Sequence, residues 1–295
     1  MSVPPVTTAT VASTPRRPRG KVLPRLVVHT LLIAGALVMI YPLLWLVASS
    51  LRGPEEVFRE TGLIPWNPRF ENYLNGWTAL TFDFSRFYIN SLLISTLAVF
   101  GNLAACSMAA YAFARIRFRL RGMWFAIMLI TLMLPIHVLI VPQYVIFHRL
   151  GWIDSILPLT VPHLLAVDAF FIFLMVQFIR GIPVELDDAA RIDGCGHVQI
   201  FLRIILPLMK PALVTTAIFT FIWSWDNFFA QLIFLNSPRN YTVPLALQAF
   251  LDSTGRSNWP ELLAMSTLAL VPIFVIFLLL QRRLTEGIAT TGLKA

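Results

Sequence analysis

Six apolar stretches, each long enough to cross the hydrocarbon core of a bilayer as a helix of about 20 residues, constrain this 295-residue sequence more than any other feature. They run approximately Leu26–Ser49, Tyr88–Phe113, Met123–Ile146, Leu157–Ile179, Ala212–Leu235 and Leu262–Gln281. Segments of this kind satisfy their backbone N–H and C=O groups internally, because lipid offers them no partners. The fold class read from the pattern is therefore an all-α polytopic membrane protein with six transmembrane helices. Composition agrees: 57% of residues are hydrophobic and 13% charged, against about 25% charged in ordinary globular domains, which excludes a soluble monomer.

Lys and Arg orient the chain, since cytoplasmic segments retain an excess of them. With the N-terminus inside, 16 of the 23 fall inside, among them Arg16, Arg17, Arg115, Arg117, Arg119, Arg121, Arg180, Arg191, Arg282 and Arg283. Both termini are expected to be cytoplasmic. Residues 1–25, rich in Thr, Pro and Arg, read as a disordered tail, and with no cleavage pattern after the first apolar run that run reads as a retained anchor. Residues 26–87 then hold the first membrane helix and an extracytoplasmic loop, 88–282 the transmembrane core, and 283–295 a cytoplasmic tail. Topology accounts for the net charge of +8, and no nucleic-acid motif or aromatic interleaving is present, so no nucleic-acid partner is expected. Cys106 and Cys195 are too few for a disulfide framework.

Residues 183–211, between the fourth and fifth apolar stretches, do not read as a simple connector. Pro183 suits a helix's first turn, and Glu185, Asp187 and Asp188 place negative charge at the positive end of its macrodipole. Leu186, Ala189, Ala190 and Ile192 supply a shallow apolar face, Gly194 and Gly196 permit a reversal through positive φ, and Val198, Phe201, Leu202 and Ile205 resume a helical period. Two short helices meeting at a glycine corner are expected. An interfacial helix wants Lys or Arg above large apolar residues, whereas three acids and two alanines fit a groove on another protein better; a hairpin on the inner leaflet is the other reading.

Pro183, Glu185, Leu186, Asp188, Ala189, Ala190, Arg191, Ile192, Asp193, Gly194, Leu206 and Pro207 resemble the EAA motif of the inner-membrane permease subunits of binding-protein-dependent ABC importers, in the carbohydrate (MalG-like) branch. The one departure is Asp188, where glutamate is commoner. Asn90-Ser91-Leu92, the run from Ala110 to Arg115, Pro142 and the closing stretch from Gln281 through Gly287 and Gly292 resemble the same branch, so the likeness covers Tyr41 to Ala295. It implies a type I ABC importer permease fold in a bacterial plasma (inner) membrane, and a sugar or related solute as cargo. The implied partners are membrane lipid, a second (MalF-like) permease subunit, two cytoplasmic ABC ATPase subunits and an extracytoplasmic solute-binding protein. Glu185, Asp188, Ala189, Ala190, Asp193 and Gly194 would dock the ATPase. The resemblance implies a transport subunit and not an enzyme; with no Gly-x-x-x-x-Gly-Lys-Ser/Thr run here, no cofactor is expected on this chain, with ATP and Mg on the ATPase partners.

Within the membrane, Trp223, Trp225, Asp226, Asn227 and Gln231 form a candidate substrate path, in which rings stack on a sugar face and polar groups bond its hydroxyls; an interhelical polar clamp explains the same residues. Ionisable groups at bilayer depth ask for a partner or an aqueous face. His137 and Asp168 read either as a proton relay or as a packing pair, and with Asp226 they are the basis of an alternative, an ion-coupled secondary transporter. No internal repeat supports that alternative, and no cluster has metal-ligand or nucleophile–base spacing. Pro135 and Pro142 are expected to break the third stretch, and Gly101, Ala104, Ala105, Ala109 and Ala110 to allow close helix approach.

Overall fold

The computed structural model describes residues 22–59, 62–252 and 258–292, so most of the expected N-terminal tail, with Arg256 and Lys294, lies outside the described residues. Among the described residues all regular structure is helical. The chain divides into two units, Met1–Trp45 and Leu46–Ala295. The described part of the first is the apolar body of helix α1 (Val22–Ser50). The remaining helices are α2 (Glu71–Thr78), α3 (Phe84–Arg115), α4 (Arg121–Thr131), α5 (Ile136–Arg149), α6 (Leu157–Thr160), α7 (Ala169–Arg180), α8 (Glu185–Ile192), α9 (His197–Ile200), α10 (Leu206–Leu208), α11 (Lys210–Trp225), α12 (Phe228–Phe234), α13 (Val243–Asp252) and α14 (Trp259–Gly292).

Four segments are long and apolar enough to cross a membrane: Val27–Ser50, Phe84–Arg115, Leu157–Arg180 and Trp259–Gln281. The third apolar stretch is not one helix. Pro135 lacks an N–H and biases Leu134 toward extended backbone, so the chain breaks between α4 and α5. At 11 residues α4 spans only roughly 16 Å, short of a bilayer core. The fifth stretch is also interrupted. His197–Leu208 and α11 meet at 75° and count as one crossing only if taken together. Beyond α11 the helix stops at Asp226, and Asn227 restarts it as α12 by accepting the Ala230 N–H at 3.3 Å.

In the second unit α3 is the central element, with α7 and α11 packed along it. Gly101 explains how closely the 3-10 turn Val161–Leu165 approaches: a Cβ there would stand 3.0 Å from the His163 carbonyl carbon and 3.1 Å from the Leu164 nitrogen. Asn102 donates to Thr220 Oγ1 at 3.1 Å, tying α3 to α11 through a buried polar pair. At the Arg115 end of α3, Cys106, Ala110 and Tyr111 share a core with Phe171, Met175 and Ile179 of α7 and with Ala190, Ile200, Ile205 and Met209 of the connector. At the Phe84 end, Phe84 and Phe87 pack with Phe221, Trp225, Phe250 and Met265.

The segment after α1 folds as a cap. Asn72 donates to the Ser50 and Arg52 carbonyls at 2.8 and 2.9 Å, Tyr73 and Ser50 share a hydrogen bond of 2.7 Å, and the buried Arg52 guanidinium reaches Ser49 Oγ and the Gly62 carbonyl.

Candidate coupling elbow and membrane cavity

The elbow is built from local rules. Pro183 lies ahead of the helix rather than in its first turn, and α8 starts at Glu185 with its three acids in the first turn and Arg191 in the last. The helix ends on a Schellman motif. The Gly194 N–H bonds the Arg191 carbonyl at 3.0 Å and the Cys195 N–H bonds the Ala190 carbonyl at 2.9 Å. This turn needs a left-handed residue, and Gly194 has φ +81°. Gly196 does not share that role. It is extended (φ −78°, ψ 169°) and precedes α9, its N–H donating to Gln199 Oε1 at 3.0 Å.

Pro207 shapes the exit. Without an N–H it cannot bond the Arg203 carbonyl, and the chain adopts a π turn over Phe201–Ile205, in which the Leu206 N–H reaches Phe201 O.

The shallow apolar face expected on α8 is divided, with Leu186, Ala189 and Ile192 free and Ala190 packed in the core. Leu186 and Ile192 are 41% and 87% exposed, whereas Asp187 and Ala190 are buried. Of the residues expected to dock a partner, Glu185, Asp188, Ala189, Asp193 and Gly194 are exposed and Ala190 sits in the core. Asp188 bonds Arg191 at 2.9 Å on the surface, a contact worth a few tenths of a kcal/mol at most.

Asp187 was read from the sequence as a helix-dipole charge, and Arg115 as a topological charge closing a run that resembles the family, yet they form a buried ion pair. Arg115 Nε lies 3.1 Å from Asp187 Oδ2, with the side chains 6% and 1% exposed. Arg115 also donates to the Ile182 carbonyl at 2.6 Å. It therefore grips both the root and the first turn of the elbow from the end of α3. The contact is one of charge rather than of aligned hydrogen bonds, since neither Asp187 oxygen accepts a hydrogen bond from a described residue.

In the membrane body, Ser224, Asn227 and Gln231 line a cavity of about 160 Å³ together with Gln143, His163 and Asp168. Helix ends supply two of these groups: Asn227 caps α12, and Asp168 precedes α7 just after Ala166, which is left-handed (φ 54°). The five residues of the candidate substrate path are dispersed. Trp223 is half exposed beside Phe170, Phe171 and Phe219, and Asp226 is exposed. Trp225 is buried, its indole donating to the Ala269 carbonyl at 3.2 Å. The buried amide of Gln231 donates to Ser224 O at 3.0 Å and accepts from Thr242 Oγ1. His137 stands against the Phe229 ring, 5.0 Å between centroids. The partner of Asp168 is His163, at 2.7 Å, so the pairing of Asp168 with His137 considered from the sequence is replaced by one within the same interrupted segment.

At the opposite end from Arg115, Asp154 holds a loop that sequence reasoning passed over. Left-handed itself (φ 62°), it accepts the Asn236 and Ser237 N–H groups at 3.0 and 2.8 Å and the Ser237 hydroxyl, while its carbonyl accepts from Asn240 Nδ2. Burial pushes the carboxyl up, but the hydrogen bonds from Ser237, Asn240 and Asn236 outweigh it and hold the group at about 2. A folded-state value below the ordinary 3.8 means the stabilisation is present in full above pH 3.8 and is lost as pH falls through about 2. Hydrogen exchange of the Asn236 and Ser237 amides is expected to speed up across that window, and Asp154→Asn to make it fast already at pH 7. Slow, pH-independent protection in the variant would contradict the clamp.

Residues 101–290 match the family model of the binding-protein-dependent transport system inner membrane component. The chain is 32% identical over 256 residues to the probable ABC transporter permease protein YurM of Bacillus subtilis, covering 86% of this chain and 83% of that protein. It is 34% identical over 262 residues to the arabinooligosaccharides transport system permease protein AraQ of Halalkalibacterium halodurans, covering 88% and 92%. In fold it matches a chain of a bacterial ABC transporter involved in the import of the acidic polysaccharide alginate, with a TM-score of 0.76 at 22% identity over 91% of this chain and 99% of that one. The ion-coupled carrier alternative finds no support in these matches. An interrupted helical membrane body, an acidic elbow and likeness over most of the length converge: this chain belongs to the inner-membrane permease subunits of binding-protein-dependent ABC transporters, a family of transport subunits rather than enzymes.

Proposed function

We propose that this chain forms half of the translocation pathway of an ABC importer for a sugar or related solute, and that the free face of α8 docks on a cytoplasmic ATPase subunit. The observation that carries the docking is the exposed stripe of Glu185, Leu186, Ala189, Ile192 and Asp193 on a helix whose other side is anchored in the core. Small and apolar residues on a rigid projection suit insertion into a cleft of a partner. In this reading closure of two ATPase subunits on ATP and Mg displaces the elbow, and Arg115 passes the displacement into α3. A second permease subunit completes the pathway and an extracytoplasmic binding protein delivers the solute; a similar fold occurs in an alginate importer in complex with a pentasaccharide-bound periplasmic protein.

The sugar class is supported by relatives named for arabinooligosaccharide, diacetylchitobiose and trehalose/maltose transport, although another is named for sn-glycerol-3-phosphate. Six crossings with both termini cytoplasmic follow if α4 and α5 form one broken crossing and the bent pair another. Exposed Trp223 and Asp226, with Asn227 and Gln231 at the cavity, are the proposed solute-facing groups; Trp225 would support them from the core. The test is Ala189→Arg, which places bulk on the free face where the folded chain has room. The complex purified through this subunit is expected to lose at least tenfold of its ATPase while the permease pair stays intact. Full ATPase recovery would refute docking through α8.

A further inference from the structure

A cavity of about 630 Å³ lies beside the elbow, between it and the corner joining α3 to α4. Its volume is that of a small-molecule site. Four arginines line it, Arg115, Arg117, Arg121 and Arg191, with two carboxylates, Asp187 and Asp188, and His197. Each carboxylate already has its cation: Asp187 has Arg115 at 3.1 Å and Asp188 has Arg191 at 2.9 Å. Two positive charges remain. Arg117 makes no hydrogen bond or ion pair with a described residue, and Arg121 gives one long bond, 3.3 Å, to the Ile116 carbonyl. Both oxygens of Asp187 are sealed behind the same wall, so they do not compete for these donors. The accessible wall thus asks for an anion.

We propose that this cavity binds a phosphate group of net negative charge, whose oxygens Arg117 and Arg121 take. A phosphatidylglycerol headgroup carries that chemistry, and so does a soluble polyol or sugar phosphate. A lipid could reach the site. The corner joins the last turn of apolar α3 to the first turn of apolar α4, and Phe118, Leu120 and Trp124 are exposed beside it.

The site is distinct from the docking stripe. At about 100° per residue, Val184, Asp187, Asp188 and Arg191 fall on one side of α8, and Leu186, Ala189 and Asp193 on another. An occupant would brace the α3–α4 corner against the elbow and so set how stiffly α8 is held. That consequence rests on the docking reading; the binding does not.

The test uses the full-length chain co-expressed with its partners, delipidated in detergent and titrated calorimetrically with dihexanoylphosphatidylglycerol, dihexanoylphosphatidylcholine and glycerol phosphate. Saturable binding of the phosphatidylglycerol but not of the phosphatidylcholine is expected. Glycerol phosphate binding as tightly as the lipid would assign a soluble ligand, and its failure to bind would assign the lipid. Arg117→Gln with Arg121→Gln is expected to weaken binding at least tenfold, and the corresponding Lys pair, which keeps the charge and loses the forked donor geometry, to weaken it less than the Gln pair does. Should the double Gln variant fail to fold, Arg117→Gln alone is expected to weaken binding at least threefold. Equal binding of the choline lipid, or unchanged affinity in the folded Gln variants, would overturn the proposal. An Ala189→Arg complex that keeps its ATPase while still binding the anion would count against docking alone, and an unsubstituted complex that holds its ATPase but binds neither phosphatidylglycerol nor glycerol phosphate would count against the anion site alone.

Discussion

Alanine at position 187 is expected to destabilise the chain by about 3–5 kcal/mol, because it leaves the Arg115 guanidinium, 6% exposed, without its counter-charge. For a chain of this size that is a fall in Tm on the order of 10 °C, read by tryptophan fluorescence during heating in detergent. The pair need not be a net source of stability, since taking two charges out of water costs about as much as their attraction returns. A double variant, Arg115→Met with Asp187→Leu, is therefore expected to regain most of the lost Tm. A melting temperature unchanged in Asp187→Ala would show that the pair does not hold the elbow. The same double variant separates stability from coupling. Arg115 also bonds the Ile182 carbonyl, so its guanidinium joins α3 to the elbow at two points. An apolar pair would restore packing without that grip, leaving the melting temperature normal and solute-stimulated ATP turnover reduced.

Isoleucine at position 194 is expected to leave insertion and folding intact and to lower solute-stimulated ATPase at least tenfold in proteoliposomes holding the assembled importer and its binding protein. Crowding is not the reason, since nothing lies within 4 Å of a Cβ built on Gly194. The reason is φ +81°, a region that costs an L-residue roughly 1–2 kcal/mol and a β-branched one more. The Ile variant escapes the strain by unwinding the Schellman turn, which shifts α8 relative to α9. Asparagine tolerates the left-handed region, so Gly194→Asn is expected to keep most of the activity. Wild-type turnover in the Ile variant would mean that the geometry of this corner is not used.

Much of the molecule was legible as pattern. Four of the six apolar runs identified segments of membrane-spanning length, Pro135 the break before α5, and Gly194 the left-handed corner, because each is decided by the residues within one turn of it. The substrate-path residues were legible as a group but not in their surroundings. Trp225 and Gln231 have the composition of a sugar-lining pair, yet both are buried, each spending its polar group on a neighbouring segment.

Sequence by itself determined that this chain is helical, lives in a membrane and carries an acidic elbow, since hydropathy, proline and glycine act locally. Only the tertiary structure decided which side of α8 is free and which charge holds it. Ala190 shares the apolar pattern of Leu186 and Ile192 yet is buried while they are free; Asp187 looks like a surface acid and is 1% exposed. The choice follows from Arg115, which ends α3 beneath the elbow. Ion pairing between residues so far apart in the chain depends on how the helices pack, and no periodicity within either segment records it.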